Sequence, residues 1–243
     1  MRIVISGTYS TGKTTLSLAL SYLTGIPAVR ARTMREILPA AFPGYSLEQC
    51  GSSQLIELAI RRFCERTQAE LKMDHSFVSD GCSLQEWLYG STRLKTGFNP
   101  AEKPEVVKKW IETHSEEWHT FQQTIDALGK VVKEYARNSY DTFIHLPVEF
   151  PMTRDGHRPA SEYFRTESEK LLMTTYEELG LSPIEIHGSL YDRLSAVVDH
   201  LGLDTVMDID EAVRLINTRQ KQGLFNIEME KSSINKAGFF ESV

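Results

Sequence analysis

Cysteine is scarce and unpatterned: Cys50, Cys64 and Cys82 form no C-x-x-C pair, so neither a zinc site nor a disulfide framework is predicted. The thiols read as reduced and structural. No apolar run approaches the ~18 residues needed to span a bilayer, and the chain enters an apolar strand-like segment at Arg2 with no secretory leader pattern. These absences predict a soluble, cytoplasmic protein with no membrane partner. A basic excess is missing too. The formal net charge is −6 over 243 residues, which leaves no general attraction for nucleic acid. Internal repeats and low-complexity tracts are also lacking, and no Asn-Lys-x-Asp run is present to read guanine.

What is present is concentrated near the start. Gly7-Thr8-Tyr9-Ser10-Thr11-Gly12-Lys13-Thr14 satisfies G-x-x-x-x-G-K-[ST], the pattern of a phosphate-cradling loop, and Thr15 continues it. The glycines let the backbone curl so that successive N–H groups point at phosphate oxygens. Side chains at Gly7 or Gly12 would obstruct that curl. Lys13 is placed to reach the β- and γ-phosphates, and the Thr14 hydroxyl to ligate Mg²⁺. The flanks agree with this reading. Arg2–Ser6 is a short apolar run suited to a buried parallel strand, and Leu16, Leu18, Ala19, Leu20 and Leu23 recur at helical spacing. Strand, glycine loop and helix arrive in the required order, and ATP with Mg²⁺ is the predicted cofactor pair.

Further along, Pro27–Val29 reads as a second strand, and Thr33–Leu38 as a short helix ended by Pro39. Leu47–Met73 carries a helical period into the strand-like run 75–80, which closes on Asp80. Gly90–Pro104 is polar and turn-rich, and a long helix is predicted from about Glu105 to Asn138. Strands at Thr142–Leu146 and Pro183–His187 and helices at Thr166–Leu179 and Tyr191–Leu201 complete an alternating pattern. That alternation predicts an α/β fold with a mainly parallel sheet covered on both faces by helices. One domain over residues 1–203 is expected, with a helical insert at about 90–138, a lid at about 150–166 and an appendage at 204–243. Ile209–Ile216 is read as a helix and the tail from Asn217 as polar with few apolar anchors.

Ligands of open α/β sheets bind at the carboxyl ends of strands, which makes Asp80 the leading acid. It can organise Mg²⁺ or accept a substrate hydroxyl proton; the alternative is a helix N-cap near Ser83. Thr153-Arg154-Asp155-Gly156-His157-Arg158, with Arg165 beyond, gathers three guanidinium groups at a glycine turn. Phosphoryl transfer uses such mobile positive charge, so a lid is one reading and a solvated basic turn pairing Asp155 with Arg158 the other. Trp110, His114, Trp118 and Phe121 fall at i, i+4, i+8 and i+11 of a predicted helix, either core packing or an aromatic wall of an acceptor pocket. His145 and His187 read as structural histidines inside strand runs.

Together the phosphate loop, the strand-end Asp80 within 80–90, Tyr140-Asp141 before a strand and Asp155-Gly156-His157-Arg158 resemble the P-loop kinase-like AAA-domain family. That family includes the ribosylnicotinamide kinase domain of NadR proteins and lies close to nucleoside and nucleotide kinases. The resemblance spans about residues 1–202 and implies a P-loop NTPase three-layer sandwich of nucleoside/nucleotide-kinase-like fold. It further implies transfer of the ATP γ-phosphate to a small hydroxyl- or phosphate-bearing acceptor, with Asp80 near the acceptor and Arg154, Arg158 or Arg165 in the lid. Two departures stand out. Where the family often carries an acid-containing Glu-x-x-Arg-Glu segment, this chain has Arg32-Thr33-Met34-Arg35-Glu36, so Arg32 and Arg35 become candidate contacts to an anionic acceptor. Gly81 stands where a basic residue often follows the acid. The bland reading of Arg32 is a solvated pair with Glu36 one turn on. A nucleotide-dependent regulatory switch with slow ATP or GTP hydrolysis is the competing function, and the assembly state, a homodimer included, is left open.

Overall fold

The computed structural model describes residues 1–73, 75–99, 103–152 and 161–221. Among these, five parallel strands form one sheet: β1 (Arg2–Ser6), β2 (Ala28–Arg30), β3 (Phe77–Asp80), β4 (Thr142–His145) and β5 (Ile184–Glu185), in the order β2-β3-β1-β4-β5. Parallel strands need helical crossovers, and the side chains dictate where these pack. Ile3 and Ile5 of β1, Val78 and Ile144 point to one face, where they meet Leu16, Leu20 and Leu23 of α1 (Lys13–Thr24), Leu194 and Val197 of α8 (Leu190–Leu201), and Ala212 and Ile216 of α9 (Ile209–Lys221). Val4, Phe77 and Phe143 point to the other face. There they pack with α3 (Ser52–Leu71), α4 (Ser83–Thr96), α6 (Ser115–Ser139) and α7 (Glu162–Leu179). Each fully enclosed leucine contributes on the order of 1.5–3 kcal/mol relative to exposure. The result is the expected three-layer α/β sandwich with a mainly parallel sheet.

The differences from expectation lie mostly in the helices. Pro39 falls inside α2 (Met34–Ala41) rather than ending it, because Thr33 caps the start and Phe42 N–H closes a last turn onto Leu38 O at 2.7 Å. The run from Leu47 is divided: a 3₁₀ turn at Leu47–Gln49 precedes α3, broken at Cys50-Gly51. Gly90 is not in a loop but in the middle of α4. A Cβ there would lie 2.7 Å from Ile125 Cδ1, and one on Gly129 of α6 would lie 2.6 Å from Trp87 Nε1. Close approach of α4 and α6 is the reason for both glycines. The predicted long helix is two, α5 (Pro104–Thr113) and α6, separated at His114. Beyond Ile216, α9 continues to Lys221, anchored through Ala212 and Ile216 to α1. No helix among the described residues is long and apolar enough to cross a membrane.

Candidate active site

The phosphate loop joins β1 to α1 at the carboxyl edge of the sheet, and its shape is set by left-handed backbone. Gly7 has φ 137°, Ser10 φ 58° and Gly12 φ 92°. At Gly7 a Cβ would sit 2.5 Å from Leu146 O and 2.8 Å from Thr11 Oγ1, so no other residue fits. Within the curl the Thr11 hydroxyl donates to Thr8 O at 3.2 Å and Lys13 Nζ also donates to Thr8 O. The Thr8 hydroxyl is buried with no hydrogen-bond partner among the described residues. Ser10 and Thr15 complete the loop and the first turn of α1.

Asp80 ends β3, in register with Ile5 of β1 and Arg30 of β2. Thr14 Oγ1 donates to Asp80 Oδ2 at 2.7 Å, so the hydroxyl and the carboxylate picked out in the sequence converge on one point. Asp80 does not cap α4. That helix starts after Cys82, whose N–H is taken by Gln85 Oε1 at 2.6 Å, and the Gln85 amide also reaches Ser6 Oγ and Gly7 O. Burial pushes the Cys82 thiol up to about 12, so it stays protonated.

Behind Asp80 lies a cluster the sequence reading did not single out. Arg66 of α3 is buried and donates to Asp80 O at 3.3 Å, Gly81 O at 3.2 Å, Ser79 Oγ at 3.0 Å and Glu86 Oε1 at 3.0 Å. Burial opposes its charge, yet Glu86, Tyr140 and Glu70 outweigh it and keep the guanidinium ionised. Arg62 lies 2.9 Å from the other oxygen of Glu86. Glu70 accepts from Ser79 and Tyr140, and burial raises its carboxyl although Arg66 lowers it. An Arg-x-x-x-Arg-x-x-x-Glu spacing on one helix face was the available signal, but without the fold it reads as solvated charge.

On the opposite side Arg193 of α8 grips the loop, donating to Thr11 O at 2.6 Å and to Glu149 Oε2 at 2.5 Å. Glu149 also accepts from His187 and Gly188; burial works against its charge, and Arg193 and His187 outweigh it, holding the carboxyl below its usual range. His145, at the end of β4, faces Glu169 at 2.7 Å.

The basic candidates are distributed unevenly. Arg32 Nε bonds both oxygens of Glu65, at 3.0 and 3.2 Å, rather than Glu36; Glu36 instead takes Arg30 at 2.5 Å and closes the Thr33 cap. Arg35 pairs with Glu48 at 3.0 Å. Arg165 is buried, bonded to Phe150 O at 2.8 Å and 3.0 Å from Glu162. Arg154 and Arg158, with residues 153–160 of the expected lid, lie outside the described residues. The aromatic stripe does not run along one helix: only Phe121 is buried, and Trp110, Trp118 and Phe121 gather around Phe98 at 5.0, 5.4 and 4.9 Å.

A family model for an AAA domain matches residues 2–193. No curated protein matches the chain in sequence. Among solved structures, deoxyadenosine kinase from M. mycoides with dCMP and dCDP bound is similar at 13% identity and a TM-score of 0.52, over 83% of this chain and 98% of that one. The same kinase with bound dATP gives 16% identity and 0.52, over 83% and 100%. NadR in complex with NAD and AMP-PNP gives 14% identity and 0.51, over 84% of this chain and 50% of that one. At such identities the likeness is one of fold.

Proposed function

Because the chain belongs to an AAA-domain family and keeps its phosphate loop intact, we propose that it is an ATP-dependent kinase acting on a small hydroxyl- or phosphate-bearing acceptor. The observation that carries this reading is the 2.7 Å contact between Thr14 and Asp80 at the mouth of the loop. A hydroxyl and a carboxylate so placed suit Mg²⁺, which takes one or two protein oxygens and completes its shell with phosphate and water. When bound, Mg²⁺ would neutralise charge building on the β- and γ-phosphates.

The chain's own groups divide the remaining work. Loop N–H groups between Gly7 and Thr15 hold the phosphates, and Lys13 follows the charge that shifts toward the leaving ADP. Asp80 Oδ1 has no hydrogen-bond partner among the described residues and is the oxygen assigned to the acceptor's proton. The acceptor oxygen bonds to the γ-phosphorus, the bond to the β-phosphate oxygen breaks, and ADP leaves. Arg154 and Arg158 are the lid cations of this reading, with Arg165 on the acceptor side. Arg32 and Arg35 reach an acceptor only by exchanging Glu65 and Glu48 for it. The likeness covers 50% of the NadR chain, and only the kinase step is proposed here. The test is acceptor-dependent ADP release across nucleosides, nucleotides, sugars and hydroxy acids. Release with one acceptor class is expected; ATP binding with no acceptor-stimulated turnover in any class would leave slow hydrolysis and a switch.

A further inference from the structure

A cavity of about 250 Å³ opens at the C-terminal end of α4, between the 3₁₀ turn at Leu47–Gln49, α5 and the start of α6. It stands apart from the phosphate loop. Tyr89 of α4 stacks on Tyr9 of the loop, and Gly97 at the cavity comes two helical turns later, about 12 Å further along the axis. A close approach of two helices shapes the cavity. Gly97 has φ 83°, and a Cβ there would lie 2.6 Å from Val107 Cγ2, so glycine is what lets α5 come down on the end of α4.

The lining selects by charge. Phe98, Trp110, Trp118 and Val107 give it an apolar wall and Glu48 and Glu117 give it two carboxylates, while no lysine, arginine or histidine lines it. Glu48 already has Arg35 at 3.0 Å. Glu117 accepts from the Ser52 hydroxyl at 2.6 Å through Oε1, and no cation among the described residues pairs with it. The aromatic wall is likewise without a cation: those of the described residues lie over Phe164, Trp87, Phe150 and Tyr22. An anion would meet two like charges, and a wholly polar ligand would leave the wall unused. A cation with an apolar body satisfies both. The volume sets its size, since roughly eight times the ~30 Å³ that a water occupies in the liquid leaves room for about eight heavy atoms.

We propose that this cavity binds a small organic cation, with a primary ammonium group paired to Glu117 and an apolar body set against Phe98, Trp110 and Trp118. The aromatic spacing that reads in sequence as core or as the wall of an acceptor pocket thereby serves a second site. The proposal does not rest on the kinase reading, and its test needs neither ATP nor an acceptor.

The intact protein, without nucleotide, is titrated at neutral pH and constant ionic strength with benzylamine, with benzyl alcohol as the neutral molecule of the same size, and with the anion benzoate. Binding is followed by tryptophan emission. Benzylamine should bind about fivefold or more tightly than benzyl alcohol, and benzoate no more tightly than the alcohol. Glu117→Gln should remove most of the benzylamine advantage and leave the alcohol unchanged; the side chain is exposed and bonds Ser52 alone, so this variant keeps the fold. The emission change should vanish when Trp110→Phe and Trp118→Phe are combined, because the remaining tryptophan, Trp87, is not part of the lining. If that double variant does not fold, the Glu117 result decides alone. Equal binding of amine and alcohol, an amine advantage that survives Glu117→Gln, or an emission change that survives both tryptophan replacements overturns the proposal.

Discussion

The phosphate loop and the helical flank beside it meet at the Tyr9–Tyr89 stack, and they hold their charged groups in opposite ways. In the loop the shape comes from the backbone: glycines at positions 7 and 12 set the curl and Lys13 donates to Thr8 O, while Asp80 and Arg193 bond it from outside. In the flank the partners come from distant segments, as when Arg66 of α3 bonds Glu86 of α4 and the carbonyls of Asp80 and Gly81. Changes to loop side chains should therefore damage chemistry and spare the fold, whereas changes in the flank should damage the fold first.

The largest expected effect is on the flank. Glu86→Gln leaves Arg66 and Arg62 facing one neutral amide in a dry site, and a loss of about 3–5 kcal/mol in unfolding free energy is expected by urea titration. An unchanged midpoint would break the contrast at its strongest point. Lys13→Ala should lower turnover by about 10²–10³-fold, equivalent to about 2.7–4 kcal/mol, with a melting temperature close to wild type. Equal loss of stability would mean that the loop is held by Lys13 after all.

Gly129→Ala sharpens the flank side. Alanine favours a helix by about 1 kcal/mol over glycine, but a Cβ 2.6 Å from the Trp87 indole opposes it with a strain of about 1–3 kcal/mol. A net destabilisation of up to about 2 kcal/mol is expected in thermal unfolding; net stabilisation would show that α4 and α6 can part. Glu36→Gln should have the smallest effect, about 1 kcal/mol or less, because the Arg30 pair is partly exposed. Burial works against the Glu36 charge, but Arg30 and Thr33 outweigh it and its carboxyl lies below the ordinary 4.5. A lowered carboxyl stabilises the fold above its unfolded value, so the wild-type advantage should be complete above about pH 4.5 and fade as pH falls through the lowered value. An advantage that grew on acidification would contradict the assignment.

The same contrast explains what the sequence could disclose. The curl at Gly7 and Gly12 is legible because it depends on neighbours within a few positions, and the place of Asp80 because strand-end position is a local property. Gly90 misled for the opposite reason: a glycine read as a turn is there to admit Ile125, 35 positions away. The break at His114 was hidden because the aromatic spacing continues across it, while Phe98 supplies the contact that gathers Trp110, Trp118 and Phe121. Arg32 was paired with Glu36 on spacing alone, yet Arg30 reached that carboxylate from β2 and left Arg32 to Glu65.

Asp80 tests the account most directly, because it belongs to both regions: its side chain meets Thr14 of the loop and its carbonyl meets Arg66 of the flank. Asp80→Asn keeps the shape and the carbonyl and removes only the negative carboxylate. Transfer of the labelled γ-phosphate from ATP to an identified acceptor should fall by about 10²-fold or more in kcat, with the KM for ATP changed by only a few-fold and the melting temperature held. Wild-type kcat in a variant that melts at a markedly lower temperature would make Asp80 a structural residue and contradict the proposed chemistry.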